Sequence, residues 1–289
     1  MFMMIKKAPL ILFHSGLGNQ LFQWALFHTL RTKGESVRPG FVPSLFSDSR
    51  KLQIASLLTS QGYTLIKFSN FEYRFERKLS SLNKNSKFLM ERYLDYSQQP
   101  FTIPSAFDLK KARTIFGYFQ RVSFIEKNQS LIIPPLANYL DTISLPLGLK
   151  NEPYNIIHVR GGDLLSASNK IKYGVLSLDY YARLRINTDY RTLIVTDDID
   201  YAEQVSKVVH ADEILGPKSL NEWQAFKLMS LARHLYCANS TFSLWASLLV
   251  LEKHNEAYLP RPFFRDTTFD KEEALNLSRA NSIQSVFLD

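Results

Sequence analysis

The chain of 289 residues contains a single cysteine, Cys237, which excludes an intramolecular disulfide framework and a cysteine-rich zinc site. With 11 glycines and 12 prolines, it is too poor in both residues to be collagen-like, and no heptad repeat indicates a coiled coil. A membrane-spanning helix needs about 20 apolar residues, whereas the apolar run near the start covers only residues 9–13. We therefore expect no spanning helix, no signal peptide and a cytoplasmic chain.

Apolar residues and positive charge are both plentiful. Hydrophobic residues make up 45% of the chain and aromatic residues 13%, which is enough for sizeable packed cores. The formal net charge is +8 and the sequence pI is about 9.4. An excess of positive charge favours an anionic partner, and a nucleotide, a membrane surface and a nucleic acid all qualify.

The order of apolar runs predicts an α/β fold. Residues 9–13 are typical of a buried strand, residues 16–20 form a glycine loop, and apolar residues at helical spacing follow from Leu21. After residue 153 the pattern predicts strands at 156–159, 193–195, 213–215, 234–238 and, last, 257–259, and helices at 178–186, 199–208, 220–232 and 242–253. This alternation predicts a parallel sheet of βαβ units. Residues 40–112 have no clean period. Four prolines punctuate residues 134–153, so we predict two domains, 1–150 with a helical insertion and 151–289.

In such sheets, ligands bind beyond the carboxyl ends of the strands. Arg160, Gly161, Gly162 and Asp163 follow the predicted strand 156–159. The guanidinium and the glycine amides suit a phosphate, although a tight turn closed by an Arg–Asp ion pair is an equally good interpretation. His158 lies within this strand, where a hydrogen-bonded core histidine is the commoner role.

Two further strand ends carry polar residues with two interpretations. Asp197 and Asp198 suit the hydroxyls or base edge of a nucleotide, but an aspartate at this place is commonly a helix N-cap. Ser240 and Thr241 open a helix that suits an anion, and N-capping explains them equally well. The adjacent Asp-Asp pair is not the Asp-x-Asp of a metal-chelated nucleotide site. The glycine loop likewise lacks the spacing of a dinucleotide fingerprint or a P-loop.

Taken together, these segments resemble the α-1,2-fucosyltransferases of glycosyltransferase family 11. The resemblance covers residues 10 to about 260 and depends on several motifs in the expected order. These are Gly-Leu-Gly-Asn-Gln-Leu-Phe-Gln-Trp-Ala at 16–25, Gly-Tyr-Phe-Gln at 117–120, His-Val-Arg-Gly-Gly-Asp at 158–163, Asp-Tyr-Tyr at 179–181, Thr-Asp-Asp at 196–198 and Asn-Ser-Thr-Phe-Ser-Leu-Trp-Ala at 239–246. Each motif is weak alone, and their shared order is specific.

The resemblance implies a GT-B architecture, in which two Rossmann-like domains enclose an active-site cleft. It implies inverting transfer of L-fucose from GDP-β-L-fucose to the 2-hydroxyl of a galactoside, in O-antigen or other surface-glycan synthesis, without a metal or other cofactor. The C-terminal domain would bind the donor and the N-terminal domain would lie on the acceptor side. The implied catalytic residues are Arg160 and Asp163. The implied donor-binding residues are Gly16, Gly18, Asn19, His158, Arg160, Asp197, Asp198, Ser240, Thr241 and Phe242, and the implied acceptor-binding residues are Gln20, Tyr118 and Gln120.

One position departs from the family pattern: Gly161 stands where the family has a second arginine. A transferase that uses another GDP-sugar is therefore a competing interpretation of the sequence. A non-catalytic sugar-binding module and a nucleic-acid-binding protein also compete, but no RNA-binding strand, zinc finger or basic helix supports the latter. Residues 67–93 combine basic and aromatic side chains, which fits either peripheral contact with an anionic membrane or a solvated helical subdomain.

Overall fold

The structure is a computed structural model that describes residues 8–45, 52–74, 92–95, 99, 102–105, 112–146, 152–266 and 275–288. The chain divides into two compact units, Met1–Leu136 and Ala137–Asp289. This division falls within the proline-marked segment 134–153, whereas the predicted boundary at residue 150 lies outside the described residues. Residues 137–146 join the second unit because the Tyr139 ring packs on Trp223 and the Lys227 ammonium donates to the carbonyl oxygen of Ile143.

The N-terminal unit contains a five-stranded sheet with helices between the strands. Its elements are β1 (Leu10–Phe13), α1 (Leu17–Thr32), β2 (Arg38–Phe41), α2 (Ala55–Ser60), β3 (Ile66–Lys67), β4 (Arg92–Asp95), β5 (Ala112–Phe116), α3 (Val122–Lys127) and α4 (Gln129–Asp141), which continues into the second unit. The strand order is β3-β2-β1-β5-β4, and every pair is parallel. The chain runs outward from β1 through β2 to β3, crosses to β4 at the other edge and returns inward to β5, so β1 and β5 lie side by side within the sheet.

The C-terminal unit contains a six-stranded parallel sheet. Its elements are β6 (Tyr154–Val159), α5 (Ala167–Lys172), α6 (Leu178–Ala182), β7 (Arg191–Thr196), α7 (Ile199–Val209), β8 (Glu213–Leu215), α8 (Glu222–Ser230), β9 (His234–Tyr236), α9 (Thr241–Glu252), β10 (Glu256–Arg261) and β11 (Asn281–Gln284). The order is β11-β10-β9-β6-β7-β8. This is the order of a doubly wound nucleotide-binding sheet, and its switch point lies between β6 and β9.

Burial explains why these segments form strands and helices. All six residues of β6 are buried, as expected for a central parallel strand covered on both faces. α9 is buried along most of its length, which fits its nearly continuous apolar sequence. The predicted α/β class with parallel sheets is confirmed.

The structure also corrects several expectations. The helix predicted over 178–186 ends at Ala182, because its last residues make turns rather than continued helix. The strand at 257–259 was expected to be the last, but β11 pairs with it. Within the described ranges, no helix combines the length and apolar character needed to cross a membrane. Most of the 67–93 segment, residues 75–91, lies outside the described residues.

Candidate functional site

Strand register brings the predicted site residues of the C-terminal unit to one edge. Val159 pairs with Thr196 across β6 and β7, so Arg160 and Asp197 emerge side by side. Ile157 pairs with Tyr236 across β6 and β9, so Asn239 follows β9 at the level of Arg160. This edge is the switch point of the sheet, where doubly wound folds bind their ligands.

The Arg160 guanidinium lies between two carboxylates. Its Nη1 is 2.5 Å from Oδ2 of Asp197, and its Nη2 is 2.5 Å from Oδ1 of Asp163. The side chain is 31% exposed, so solvent can still reach it. A guanidinium has five N–H donors, and the two ion pairs occupy one on each Nη. Both interpretations of Arg160 are therefore compatible: it closes the turn by an ion pair and still presents donors to an anion.

The two glycines allow the turn to approach β7 closely. The Gly161 N–H donates to Oδ1 of Asp197 at 3.1 Å, and the Gly162 N–H donates to Oδ2 of Asp198 at 3.3 Å. A Cβ at Gly161 would lie 2.3 Å from Oδ2 and 2.7 Å from Cβ of Asp198. Gly162 has φ of +38°, a region that favours glycine, and its Cβ would lie 2.4 Å from Oδ2 of Asp197. In this turn, the family's second arginine therefore has no room.

Asp198 has a structural role in addition to its place at the edge. Its Oδ1 accepts from the Tyr201 N–H at 3.1 Å and caps α7. Its N–H donates to Oγ1 of Thr196 at 2.9 Å, which fixes the bend after β7. The N-cap interpretation is therefore correct for Asp198, whereas Asp197 binds the turn. Contact of either carboxylate with a nucleotide stays a prediction.

His158 is buried beneath the turn. The side chain is 4% exposed, and its Nδ1 has no hydrogen-bond partner among the described residues. Burial, and then the charge of Arg160, lower the pKa of His158 from 6.5 to about 3, so the imidazole is neutral at pH 7. Its ring packs at 5.8 Å, centroid to centroid, on Phe242. A buried nitrogen that lacks a partner is costly unless a ligand or water satisfies it.

The start of α9 lies beside these residues. Oγ of Ser240 accepts from the Phe242 N–H at 3.3 Å and caps the helix. Thr241 is the first helical residue, and the N-terminal amides of this 12-residue helix favour an anion. Capping by Ser240 and anion binding at the helix start are compatible, because a cap satisfies only one of the first four N–H groups.

Asn239 is a site residue that sequence reasoning did not single out. It is 3% exposed, and its Nδ2 donates to the carbonyl oxygens of Tyr173 and Gly174 at 2.9 and 3.0 Å. These two bonds turn its Oδ1 away from that loop, and Oδ1 has no partner within the described ranges. The signal was its place shortly after a strand at the switch point, in the same motif as Ser240.

His14 and Gln23 join the carboxyl ends of β1 and β5 in the N-terminal unit. His14 Nε2 and Gln23 Nε2 each lie 3.0 Å from the carbonyl oxygen of Gly117. Because that oxygen only accepts, the His14 proton is on Nε2. His14 is 3% exposed and stacks on Phe116, which makes it a structural histidine that joins β1 to β5. Ser15 beside it has φ of 64°, a conformation that is uncommon for a residue with a side chain.

The predicted donor- and acceptor-side residues of this unit meet at the same place. Gln120 Nε2 donates to Oδ1 of Asn19 at 2.6 Å, and the Tyr118 ring lies edge-on to His14 at 4.8 Å. Gly16 precedes α1 and accepts at its carbonyl oxygen from the Asn19 N–H, while Gly18 is buried within the helix. The glycine loop and the 117–120 motif therefore form one cluster.

Gln20 belongs to the packing of that loop. It is fully buried, and its Nε2 donates to the Ser15 carbonyl at 2.6 Å and to Oε1 of Gln53 at 3.0 Å. Its Oε1 accepts from the Ile54 N–H at 2.9 Å. These contacts occupy the amide within the unit, and the predicted contact with an acceptor stays a prediction without support from them.

Metal binding has no candidate centre in the described part of the chain. No group of three or more His, Cys, Asp or Glu side chains there is arranged to hold a metal ion. At the switch point of the C-terminal sheet, the carboxylates of Asp163, Asp197 and Asp198 bind other groups of the protein instead. Their partners are Arg160, the amides of the two glycines and the first turn of α7.

Comparison with known proteins identifies the family and the fold of the chain. The model of glycosyl transferase family 11 matches residues 64–283. The O-antigen biosynthesis glycosyltransferase WbnK of Escherichia coli is 25% identical over 288 residues, which cover 86% of this chain and 92% of WbnK. The E. coli heptosyltransferase WaaC with ADP superposes with a TM-score of 0.50 at 9% identity, over 96% of this chain and 92% of that chain. That likeness confirms the GT-B architecture. Because the family match spans most of the chain, this glycosyltransferase belongs to glycosyltransferase family 11.

Proposed function

We propose that the enzyme transfers L-fucose from GDP-β-L-fucose to the 2-hydroxyl of a galactoside, with inversion at the anomeric carbon. The motifs at 16–25, 117–120, 158–163, 196–198 and 239–246 support this activity by their resemblance to α-1,2-fucosyltransferases. The name of the relative WbnK supports a role in O-antigen biosynthesis. A galactose-terminated or lipid-linked glycan on the cytoplasmic face of a membrane is the acceptor class that fits such a role.

The observation that carries the proposal is the group at the switch point of the C-terminal sheet. Three features meet there. They are the Arg160 guanidinium, which has N–H donors beyond those in its two ion pairs, the N-terminus of α9, and two buried polar atoms that have no partner among the described residues. Arg160 and the positive N-terminal end of α9, with Ser240, Thr241 and Phe242 around it, suit the diphosphate. His158 Nδ1 and Asn239 Oδ1 suit polar groups of the nucleoside.

The proposed chemistry is a single displacement. The acceptor 2-hydroxyl oxygen bonds to the anomeric carbon as the bond from that carbon to the β-phosphate oxygen breaks, and GDP leaves with the bonding electron pair. The hydroxyl proton passes to a base, for which Asp163 is our candidate. Arg160 and the α9 amides stabilise the charge that grows on the leaving diphosphate. No residue in this scheme requires a metal ion.

The cluster in the N-terminal unit is our candidate for the remaining contacts. Asn19 with the adjoining Gly16 and Gly18 would approach the donor, and Tyr118 and Gln120 would approach the acceptor. The pair of amides formed by Asn19 and Gln120, 2.6 Å apart, is suited to sugar hydroxyls because it offers both donors and acceptors.

A transfer from a different GDP-sugar is the second candidate function. Gly161 favours it, because the turn excludes the arginine that the family places there and so removes a positive charge beside the donor. The first experiment is therefore a donor panel of GDP-fucose, GDP-mannose, UDP-galactose and UDP-glucose, titrated by calorimetry in EDTA. We expect binding of GDP-fucose alone, followed by transfer to a galactoside.

Two arginine variants test the role of Arg160 in the same assays. Arg160→Ala removes the guanidinium at the switch point, and we expect a loss of turnover of about 10²–10³-fold. Arg191→Ala is the matched control, since Arg191 pairs with Glu213 at 2.6 Å near the amino end of β7 and should leave turnover unchanged. Binding of GDP-mannose in place of GDP-fucose supports the second candidate, and binding of no GDP-sugar contradicts both.

A further inference from the structure

Asp197 makes a pair of contacts that no other described residue makes with the Arg160 turn. Its Oδ2 accepts from the Arg160 guanidinium at 2.5 Å, and its Oδ1 accepts from the Gly161 N–H at 3.1 Å. One carboxylate therefore fixes both the side chain and the main chain of the residues that follow β6. Both of its oxygens are used within the protein.

The pairing of β6 with β7 produces the contact between Asp197 and Arg160. Asp197 follows β7 directly, and the register of β6 with β7 places it opposite Arg160. Asp163 also binds Arg160, but it lies three residues further along the same turn and moves with it. Asp197 thus ties the guanidinium to a neighbouring strand, whereas Asp163 ties it only to its own loop.

We propose that Asp197 is a positioning residue that acts through Arg160 and does not itself contact the donor. This inference rests on the proposed function and reassigns Asp197 from the donor-binding set. A guanidinium with two N–H groups held by fixed carboxylates keeps its remaining donors in one orientation, and a preorganised donor stabilises developing charge more than a mobile one does. The close glycine turn makes this arrangement possible, because a Cβ at Gly162 would collide with the same carboxylate.

The charges give the inference a distinctive consequence. Arg160, Asp163 and Asp197 together carry one negative charge, so the two carboxylates weaken the attraction of this group for a diphosphate while they orient the guanidinium. Asp197→Asn keeps the size of the side chain, removes one negative charge and leaves a single acceptor oxygen in place of two. It should therefore reduce kcat without weakening GDP binding. The same substitution at a residue that contacts the donor directly would reduce both kcat and the affinity for GDP.

The test is a double-mutant cycle with Arg160→Ala, measured as turnover of GDP-fucose and as calorimetric affinity for GDP. Asp197→Asn should lower kcat about 10–100-fold, as misplacement of a catalytic group does, and leave the GDP affinity equal or tighter. In the Arg160→Ala background, Asp197→Asn should cause no further loss, because residues that act as a unit are not additive. Glu213→Gln breaks the Arg191–Glu213 pair, which joins β8 to the opposite, amino end of β7, and should leave both readouts unchanged.

The outcomes separate this inference from the proposed function. Equal losses of kcat in both backgrounds, or a loss of GDP affinity that matches the loss of kcat, overturn the positioning role. A wild-type chain that fails to turn over GDP-fucose contradicts the proposed donor. In that case the cycle is judged on GDP affinity, which Arg160→Ala should weaken and Asp197→Asn should not, and absence of GDP binding overturns both proposals. Thermal melting of each variant checks that it is folded.

Discussion

His158 shows how a single buried residue links the site to stability. The unfolded chain exposes this imidazole, which then binds a proton as the pH falls through 6.5, whereas in the folded protein its pKa is about 3. Between these values the unfolded state binds more protons, so the free energy of unfolding falls as the pH falls. The slope approaches about 1.4 kcal/mol per pH unit for one group.

We therefore predict that the protein loses about 2 kcal/mol of stability from His158 alone between pH 6.5 and pH 5. Urea unfolding of the wild type and of His158→Gln at several pH values measures this. The free energy of unfolding of the variant should depend less steeply on pH. The pKa values of His28 and His234 are also lowered, but both histidines are present in both proteins, so the difference between the two curves isolates His158. Parallel curves for the two proteins would contradict the prediction.

Gly161 provides the second prediction at this scale. All three atoms that a Cβ there would meet within 2.8 Å belong to the Asp198 side chain. Gly161→Ala should therefore destabilise the protein by about 1–3 kcal/mol, as overpacking does. In an Asp198→Gly background the same change should cost much less, since glycine removes the obstructing atoms and is a tolerable N-cap. Chemical denaturation of the four proteins checks this, and equal costs in both backgrounds would show that another contact is responsible.

At the scale of elements, periodicity predicted the C-terminal unit well. The strand at 213–215 has the predicted bounds, α7 differs from the predicted helix by one residue at its end, and α9 differs by one residue at each end. These elements have apolar faces and capping residues next to each other in the sequence, so local chemistry defines them. Residues 40–112 contain α2, β3, β4 and the start of β5, which were not recognised because elements of only two to six residues leave little periodic signal.

The sequence predicted most of the residues that form the candidate site, but it did not predict which of them contact one another. Its residues stand at strand ends, which the sequence shows. That Asp197 binds Arg160 while Asp198 caps α7 depends on the register of β6 with β7 and on the tight glycine turn, both of which are set by tertiary structure. Asn239 was missed as a site residue for the same reason, since its orientation depends on the carbonyl groups of Tyr173 and Gly174.

Two helix caps in the C-terminal unit allow the effect of a cap on stability to be separated from its effect on GDP binding. Ser240 caps α9 at the site, and Asn221 caps α8 through a complete capping box with Gln224. Either substitution by alanine should cost about 1 kcal/mol of stability. Only Ser240→Ala should weaken GDP binding in calorimetry, because only α9 begins at the proposed phosphate position. If both variants bind GDP as the wild type does, the start of α9 does not hold the diphosphate.

The whole molecule consists of two units that each have a parallel sheet of their own. His158 and Asn239, the proposed donor-binding residues whose buried polar atoms have no partner in the described part of the chain, both belong to the unit Ala137–Asp289. A ligand stabilises the folded region that binds it by mass action. GDP should therefore stabilise the C-terminal unit against unfolding more than it stabilises the N-terminal unit.

The tryptophans allow the two units to be observed separately. Trp24 lies in the N-terminal unit, and Trp223 and Trp245 lie in the C-terminal unit. In a Trp24→Phe variant, the fluorescence of the last two should show an increase of about 2.7 kcal/mol in unfolding free energy at a GDP concentration of about 100 Kd. In a variant that retains only Trp24, the increase should be smaller. An equal increase in the two variants would mean that the units unfold together or share the ligand, and an increase confined to the Trp24 variant would place GDP in the N-terminal unit.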